Sequence, residues 1–223
     1  MATFDTVHAE AHRRGNIRKA IKTIGFIGRR SEVTPPESLF QENGELVDLV
    51  ADGFEYTGLV TTDGWNFERE DSNQETTSQG FMSPTREDLD TVSRSVSVNF
   101  QESRKRVLQE IFDGADYRSL EVGVNELVKH KPEAPTNAEW CLVVIAVDGP
   151  ADNENLMGKV FPTVKASTVG GEQWGGDSEI SREVSFRVYR DDVLGVPEIE
   201  IEGGSAFMAA SEDLGWSQPA PTG

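Results

Sequence analysis

Three histidines, His8, His12 and His130, are the side chains of this 223-residue chain that titrate near neutral pH in their ordinary state, so acid–base chemistry would start from them. His8 and His12 stand four apart, a spacing that can hold a metal on one helical face. Their order, His-Ala-Glu-Ala-His, is not the zinc-protease arrangement, and they lie in a segment that reads as an arm. His130 sits in Lys129-His130-Lys131-Pro132, a solvated turn that offers it no partner. Thirty-nine acidic residues place carboxylates near one another by chance, so no glycosidase pair follows from them. Asp148, Asp152, Asn153 and Glu154 lack the alternating ligands and central glycine of a calcium loop and read as an acidic hairpin loop. Trp65, Trp140, Trp174 and Trp216 have the faces that stack sugars, but scattered tryptophans are more often core or interface anchors. The sequence contains no phosphate-cradling glycine loop, no Gly-x-Ser-x-Gly elbow and no cysteine cluster. The expectation is a protein that is not an enzyme and takes no cofactor and no metal.

The elements behind these residues follow from composition and period. Hydrophobic residues make up 36% and charged residues 27%, the balance of a soluble globular chain. The 21 glycines and 10 prolines favour many turns and hence β structure. A single cysteine, Cys141, excludes an internal disulfide; in the most apolar run of the chain it reads as a small buried hydrophobe. No run has the apolar length of a membrane helix. Arg13-Arg14 matches the start of a twin-arginine export signal, but Arg18, Lys19 and Lys22 interrupt the apolar stretch that should follow, so no targeting signal is expected. The net charge of −18 is uneven: residues 1–30 hold seven basic and two acidic side chains, or +5, which leaves −23 on the rest. A body that acidic repels phosphate at range, which argues against a DNA-gripping role, although acidity also serves solubility alone.

Along the chain, residues 1–35 read as an N-terminal arm. Ile17, Ile21, Ile24 and Ile27 fit a helix or a strand, and the glycines at 15, 25 and 28 argue against a long helix. Residues 36–205 read as one β-domain. Phe54 to Val60 alternates, Asp63-Gly64 is a strong hairpin signal, and Trp65, Phe67 and Arg69 alternate again. Residues 71–89 are polar and without period, with Phe81 and Met82 beside Pro84, and predict a long loop. Val92 to Phe100 alternates as a strand. A helix over about 103–113 follows, with Ser103 as N-cap, Val107, Leu108, Ile111 and Phe112 as its apolar stripe, Gly114 as its stop, and Arg104, Lys105, Arg106 and Glu110 on its charged face. Trp140–Val147 predicts a fully buried strand, Lys159–Ser167 another, Ile180–Val188 a half-buried one and Glu198–Ile201 an edge strand. Residues 206–223 predict a C-terminal tail. The sum is mainly β (α+β by count): a β-sandwich or barrel with one flanking α-helix, a long inter-strand loop and extended terminal arms.

The order of motifs resembles the major tail (tail tube) proteins of long-tailed siphophages, particularly those of actinobacterial phages. The resemblance is carried by Gly58-Leu59-Val60-Thr61-Thr62-Asp63-Gly64, then Trp65-Asn66-Phe67-Glu68-Arg69-Glu70, a polar loop, the strand Val92 to Glu102 and the helix Val107 to Phe112. Ile24-Gly25-Phe26-Ile27-Gly28 with Pro35-Pro36, and Val160-Phe161-Pro162, add to it. Each motif is weak alone; their order, over most of the chain, carries the likeness. The resemblance implies a structural virion protein in the phage tail, assembled in the host cytoplasm as six-subunit rings that stack around a tape measure protein between tail terminator and distal tail proteins. DNA passes through the lumen unbound, and there is no membrane partner. It also implies that the long loop and the terminal arms touch neighbouring rings, which places subunit and ring contacts at Arg13, Arg14, Arg18, Lys19, Phe26, Phe81, Met82 and Leu89. The +5 arm is expected to dock on the −23 body of an adjacent subunit.

Two other classes share the composition. One is a different virion interaction protein, such as a head decoration protein, which electron micrographs separate by showing discrete particles instead of tubes. The other is a carbohydrate-binding β-sandwich, favoured by the acids and tryptophans, which glycan binding would support and a hollow tube would dismiss.

Overall fold

Unbroken apolarity from Trp140 to Ile145 marks a strand covered on both faces, and that strand lies inside a mainly antiparallel sheet. The computed structural model describes residues 3–12, 16–41, 45–150, 152–177 and 179–217. In chain order its elements are α1 (Phe4–Ala11), β1 (Lys22–Arg29), β2 (Glu55–Tyr56), β3 (Val60–Thr76), β4 (Arg86–Phe100), α2 (Arg106–Asp113), β5 (Trp140–Asp148), β6 (Asn155–Val169), β7 (Arg182–Tyr189), β8 (Ile199–Gly203) and α3 (Ser205–Ala210). The strands order as β2-β1-β5-β6-β7-β4-β3, and β8 pairs with the first part of β6.

The sheet is rolled. Phe67 of β3 stacks on Phe161 of β6 with ring centroids 5.7 Å apart, although two strands stand between them in the hydrogen-bonded order. Strands spaced about 4.8 Å apart would hold those positions roughly 14 Å apart in a flat sheet. The curl brings the two ends of the order together, and residues 57–59 connect them: Tyr56 opposes Phe26 of β1, Val60 opposes Phe100 of β4, and Leu59 accepts the Gln101 N–H. Gly58, at φ +84°, makes that corner, with the Glu102 side chain where a Cβ would stand.

Alternation along β5 divides the core in two. Trp140, Leu142 and Val144 face the inside of the roll with Val96, Val98, Phe100, Phe161, Val184 and Phe186, and the apolar stripe of α2 (Val107, Leu108, Ile111, Phe112) closes over them. Cys141, Val143 and Ile145 face outward, where residues 33–54 cover them through Val33, Leu39, Leu49 and Phe54. Gly114 ends α2 in the left-handed conformation at φ 59°, as its position predicts.

Several sequence expectations change. The stretch 22–29, read as part of an arm, is the core strand β1, paired with β5 over its whole length because its own alternation puts Ile27 inside the roll and Phe26 outside. Asp63-Gly64 is not a hairpin turn. β3 runs through it, and the register against β4 slips between Val60 and Trp65, with Gly64 at φ +71° taking up the irregularity. The expected loop 71–89 is mostly strand, since β3 and β4 pair from Asp71↔Val92 to Thr76↔Arg86 and leave only 77–85 to turn. Polar side chains on both faces hid the period of two: a ribbon with no core to cover has no apolar face. The N-cap of α2 is Lys105, while the Ser103 hydroxyl donates to the Ile180 carbonyl at 3.4 Å. Glu110, assigned to the solvated face, is 2% exposed beneath Arg29. Residues 205–210, expected mostly in the C-terminal tail, form α3, and the described residues hold three short helices in place of the single one expected.

Candidate functional site

Strand pairing isolates one part of the molecule. β7 pairs with β4 only across Arg94–Phe100, so from Glu70↔Ser93 to Thr76↔Arg86 the β3–β4 ribbon has only itself. Seven paired positions at about 3.4 Å each carry it roughly 20 Å clear of the roll. Every residue from 66 to 91 is exposed. An isolated two-stranded ribbon is marginal in water. Local bonds hold this one: Thr85 N–H to the Thr76 carbonyl at 2.8 Å, the Ser78 and Thr85 hydroxyls at 2.8 Å, Asn73 Nδ2 to Glu87 Oε1 at 2.6 Å, and the Arg69–Asp71 pair at 2.7 Å. At its end Phe81 and Met82 are 69% and 107% exposed, and Leu89, opposite Asn73, is 58% exposed. Between Glu68 and Asp90 seven acidic and two basic side chains make the ribbon acidic. The outer edge of β3 beyond Val60 pairs with no strand among the described residues, which leaves a row of backbone donors and acceptors open to another chain.

The other residues expected at an interface fall differently. Arg13 and Arg14 lie outside the described residues. Arg18 forms an ion pair with Glu202 of β8, and the Lys19 N–H donates to Asp148 Oδ2 at 2.9 Å, so both are engaged on their own subunit. Phe26 is buried against Tyr56, ring centroids 5.0 Å apart, and presents no surface to a neighbour. Ahead of them α1 is closed by a Thr3/Thr6 capping box and exposes Phe4. His8 and His12 stack at 4.2 Å on α1, and the described residues contain no group of three or more metal-ligating side chains.

Beyond α2 a second surface feature was not legible in the sequence. Residues 115–138 leave α2 without regular structure and are tied back to it by Thr136 N–H to the Gly114 carbonyl at 2.8 Å and by Lys131 Nζ to Asp113 at 2.8 Å. The fold around the tie is ionic. Glu110 takes Arg29 Nη2 at 2.8 Å, pairs also with Arg106, and accepts the Tyr117 N–H at 3.2 Å. Val122 and Val124 stand 74% and 98% exposed at the turn of this excursion.

Beside the sheet, Asp191 is held by Arg30 (Nε to Oδ2 at 2.7 Å) and by the Thr163 hydroxyl at 2.8 Å, and the Arg30 bond together with the Leu194 and Val193 N–H groups keeps its carboxyl well below the usual range. Burial pushes the Cys141 thiol up to about 12, so it is no nucleophile. No protein-family model matches the chain, and no curated protein matches it.

Proposed function

We propose that this protein is a tail tube subunit of a long-tailed phage, a structural protein that forms six-membered rings stacked into a tube around a tape measure protein. The observation that carries the reading is the bare β3–β4 ribbon: a marginal two-stranded element that ends in Phe81 and Met82 is stabilised by something it docks on, and a repeating copy of the same chain supplies that surface at every level of a stack. The motif order from Tyr56 to Asp113 supports it, as do the rolled antiparallel sheet and the flanking α2. The net charge of −18 supports it too, because an acidic lumen lets a duplex slide without sticking. Tail terminator and distal tail proteins are the partners at the two ends of such a tube, in a virion assembled in the host cytoplasm.

Electron micrographs of the purified chain at rising concentration test the reading. Hollow tubes with an axial repeat support it. Discrete particles at every concentration contradict it and favour a decoration protein.

A further inference from the structure

We infer that the hollow between the N-terminal segment, the β5–β6 loop and α3 is a binding site for an uncharged sugar. Its volume is about 420 Å³ and three separate stretches of chain build it. Asn16 and Arg18 come from one, Asn153 and Asn155 from the second, Glu202 and Trp216 from the third. Hydrogen bonds within the chain fix it in advance of any ligand: the Ala206 N–H donates to the Glu154 carbonyl at 3.1 Å, the Glu154 N–H to the Ser205 hydroxyl at 3.2 Å, and the Trp216 N–H to the Ser211 carbonyl at 2.9 Å, which turns the chain back after α3.

The chemistry of the lining selects the ligand class. The side-chain amides of Asn16, Asn153 and Asn155 make no hydrogen bond with the described residues, so three groups that each donate and accept are uncommitted in one concavity. Vicinal hydroxyls, which also donate and accept, are their match. Arg18 and Glu202 neutralise each other as an ion pair, so among the described residues the lining has no free charge to attract an anion or a cation. Trp216, 63% exposed, offers the flat apolar face on which the C–H face of a pyranose stacks. The space fits one or two sugar rings. The site is independent of the assembly reading, since its six polar and aromatic groups belong to one subunit and lie outside the β3–β4 ribbon.

Saturation-transfer NMR reads the protons of the sugar and works on free subunit and assembled tube alike. The full chain is titrated with glucose, mannose, N-acetylglucosamine, maltose and cellobiose, with glycerol as the control polyol. The expected result is saturable transfer to at least one sugar at millimolar concentration and none to glycerol. Trp216→Ala abolishes it, and Trp174→Ala, which removes another exposed indole, leaves it unchanged. Asn155→Ala and Asn16→Ala each weaken binding about five- to tenfold, the loss expected for one hydrogen bond in each case. Asn16 lies outside the sheet, so its removal spares the fold. Absence of saturable transfer for the whole panel overturns the proposal. So does equal transfer in Trp216→Ala, and so does a Trp216→Ala protein that loses self-association with no sugar effect, which would make a second copy the occupant.

Discussion

Arg30 meets Asp191 side-on, Nε to Oδ2 at 2.7 Å and Nη2 to Oδ1 at 3.3 Å, and so fastens the end of β1 to the turn after β7. Asp191 is 2% exposed, and its second oxygen also takes the Val193 and Leu194 N–H groups, both at 2.9 Å. A carboxylate with that many donors organises a corner of the roll that apolar packing leaves open. Breaking one partner strands the other, so Asp191→Ala is expected to lower unfolding free energy by about 3–5 kcal/mol, measured by urea titration.

The same pair sets a pH dependence. The folded carboxyl lies below its unfolded value, so its contribution is present above the ordinary aspartate range, near pH 4, and is lost as pH falls toward the folded value. Urea midpoints of the wild type should fall from pH 5 to pH 3 more steeply than those of Asp191→Asn, which carries no titrating group there.

Gly58 turns the corner that joins the two ends of the sheet. An added Cβ meets the Glu102 side chain at 2.7 Å, in a backbone conformation that L-residues avoid, and Glu102 Oε1 accepts the Leu59 N–H at 2.9 Å. Gly58→Ala is expected to cost about 1–3 kcal/mol in urea melts. Gly64→Ala, with open space around its Cβ position, pays the backbone part alone.

Legibility in the sequence followed the core. β5 and β7 could be read because a buried or half-buried strand writes its period into its side chains, and α2 because Val107, Leu108, Ile111 and Phe112 form a stripe. β1 was obscured by its glycines, and the outer part of the β3–β4 ribbon by having no apolar face at all. Of the candidate interface residues, Phe81, Met82 and Leu89 stood out as apolar residues in polar surroundings. Phe26 stood in the apolar stretch read as an arm, and its burial under the outer core layer follows from β1 pairing with β5 and not from any local signal. Nothing local foretold the excursion 115–138, whose anchors are ion pairs to α2.

Truncation must respect β1. Removal of residues 1–30 would take out a core strand, whereas removal of residues 1–15 deletes Arg13 and Arg14 and leaves β1 whole. The shorter truncation removes Asp5, Glu10, Arg13 and Arg14, no net side-chain charge, so it is expected to slow self-assembly through lost arm contacts, with a deficit that persists toward about 0.5 M salt, read by light scattering. Circular dichroism should show the sheet intact.

Cys141 gives a check on the core. Buried at 0% exposure with its thiol pushed up to about 12, it should resist thiol reagents in the native protein and react at once when urea unfolds the chain. Fast labelling of the folded protein would mean that the outer core layer over β5 opens readily.

Hydrogen exchange along the β3–β4 ribbon, followed as the protein is concentrated, bears most directly on self-association. In dilute protein the outward amides of β3 beyond Gly64 and those of 77–84 other than Phe81 should exchange within seconds, because no partner takes them. In assembled protein the same amides should slow by at least about a hundredfold, and replacing Phe81 and Met82 with serine should restore fast exchange without changing the urea midpoint. Ribbon amides that stay equally fast at every concentration, in a protein that stays a single copy, would contradict the account.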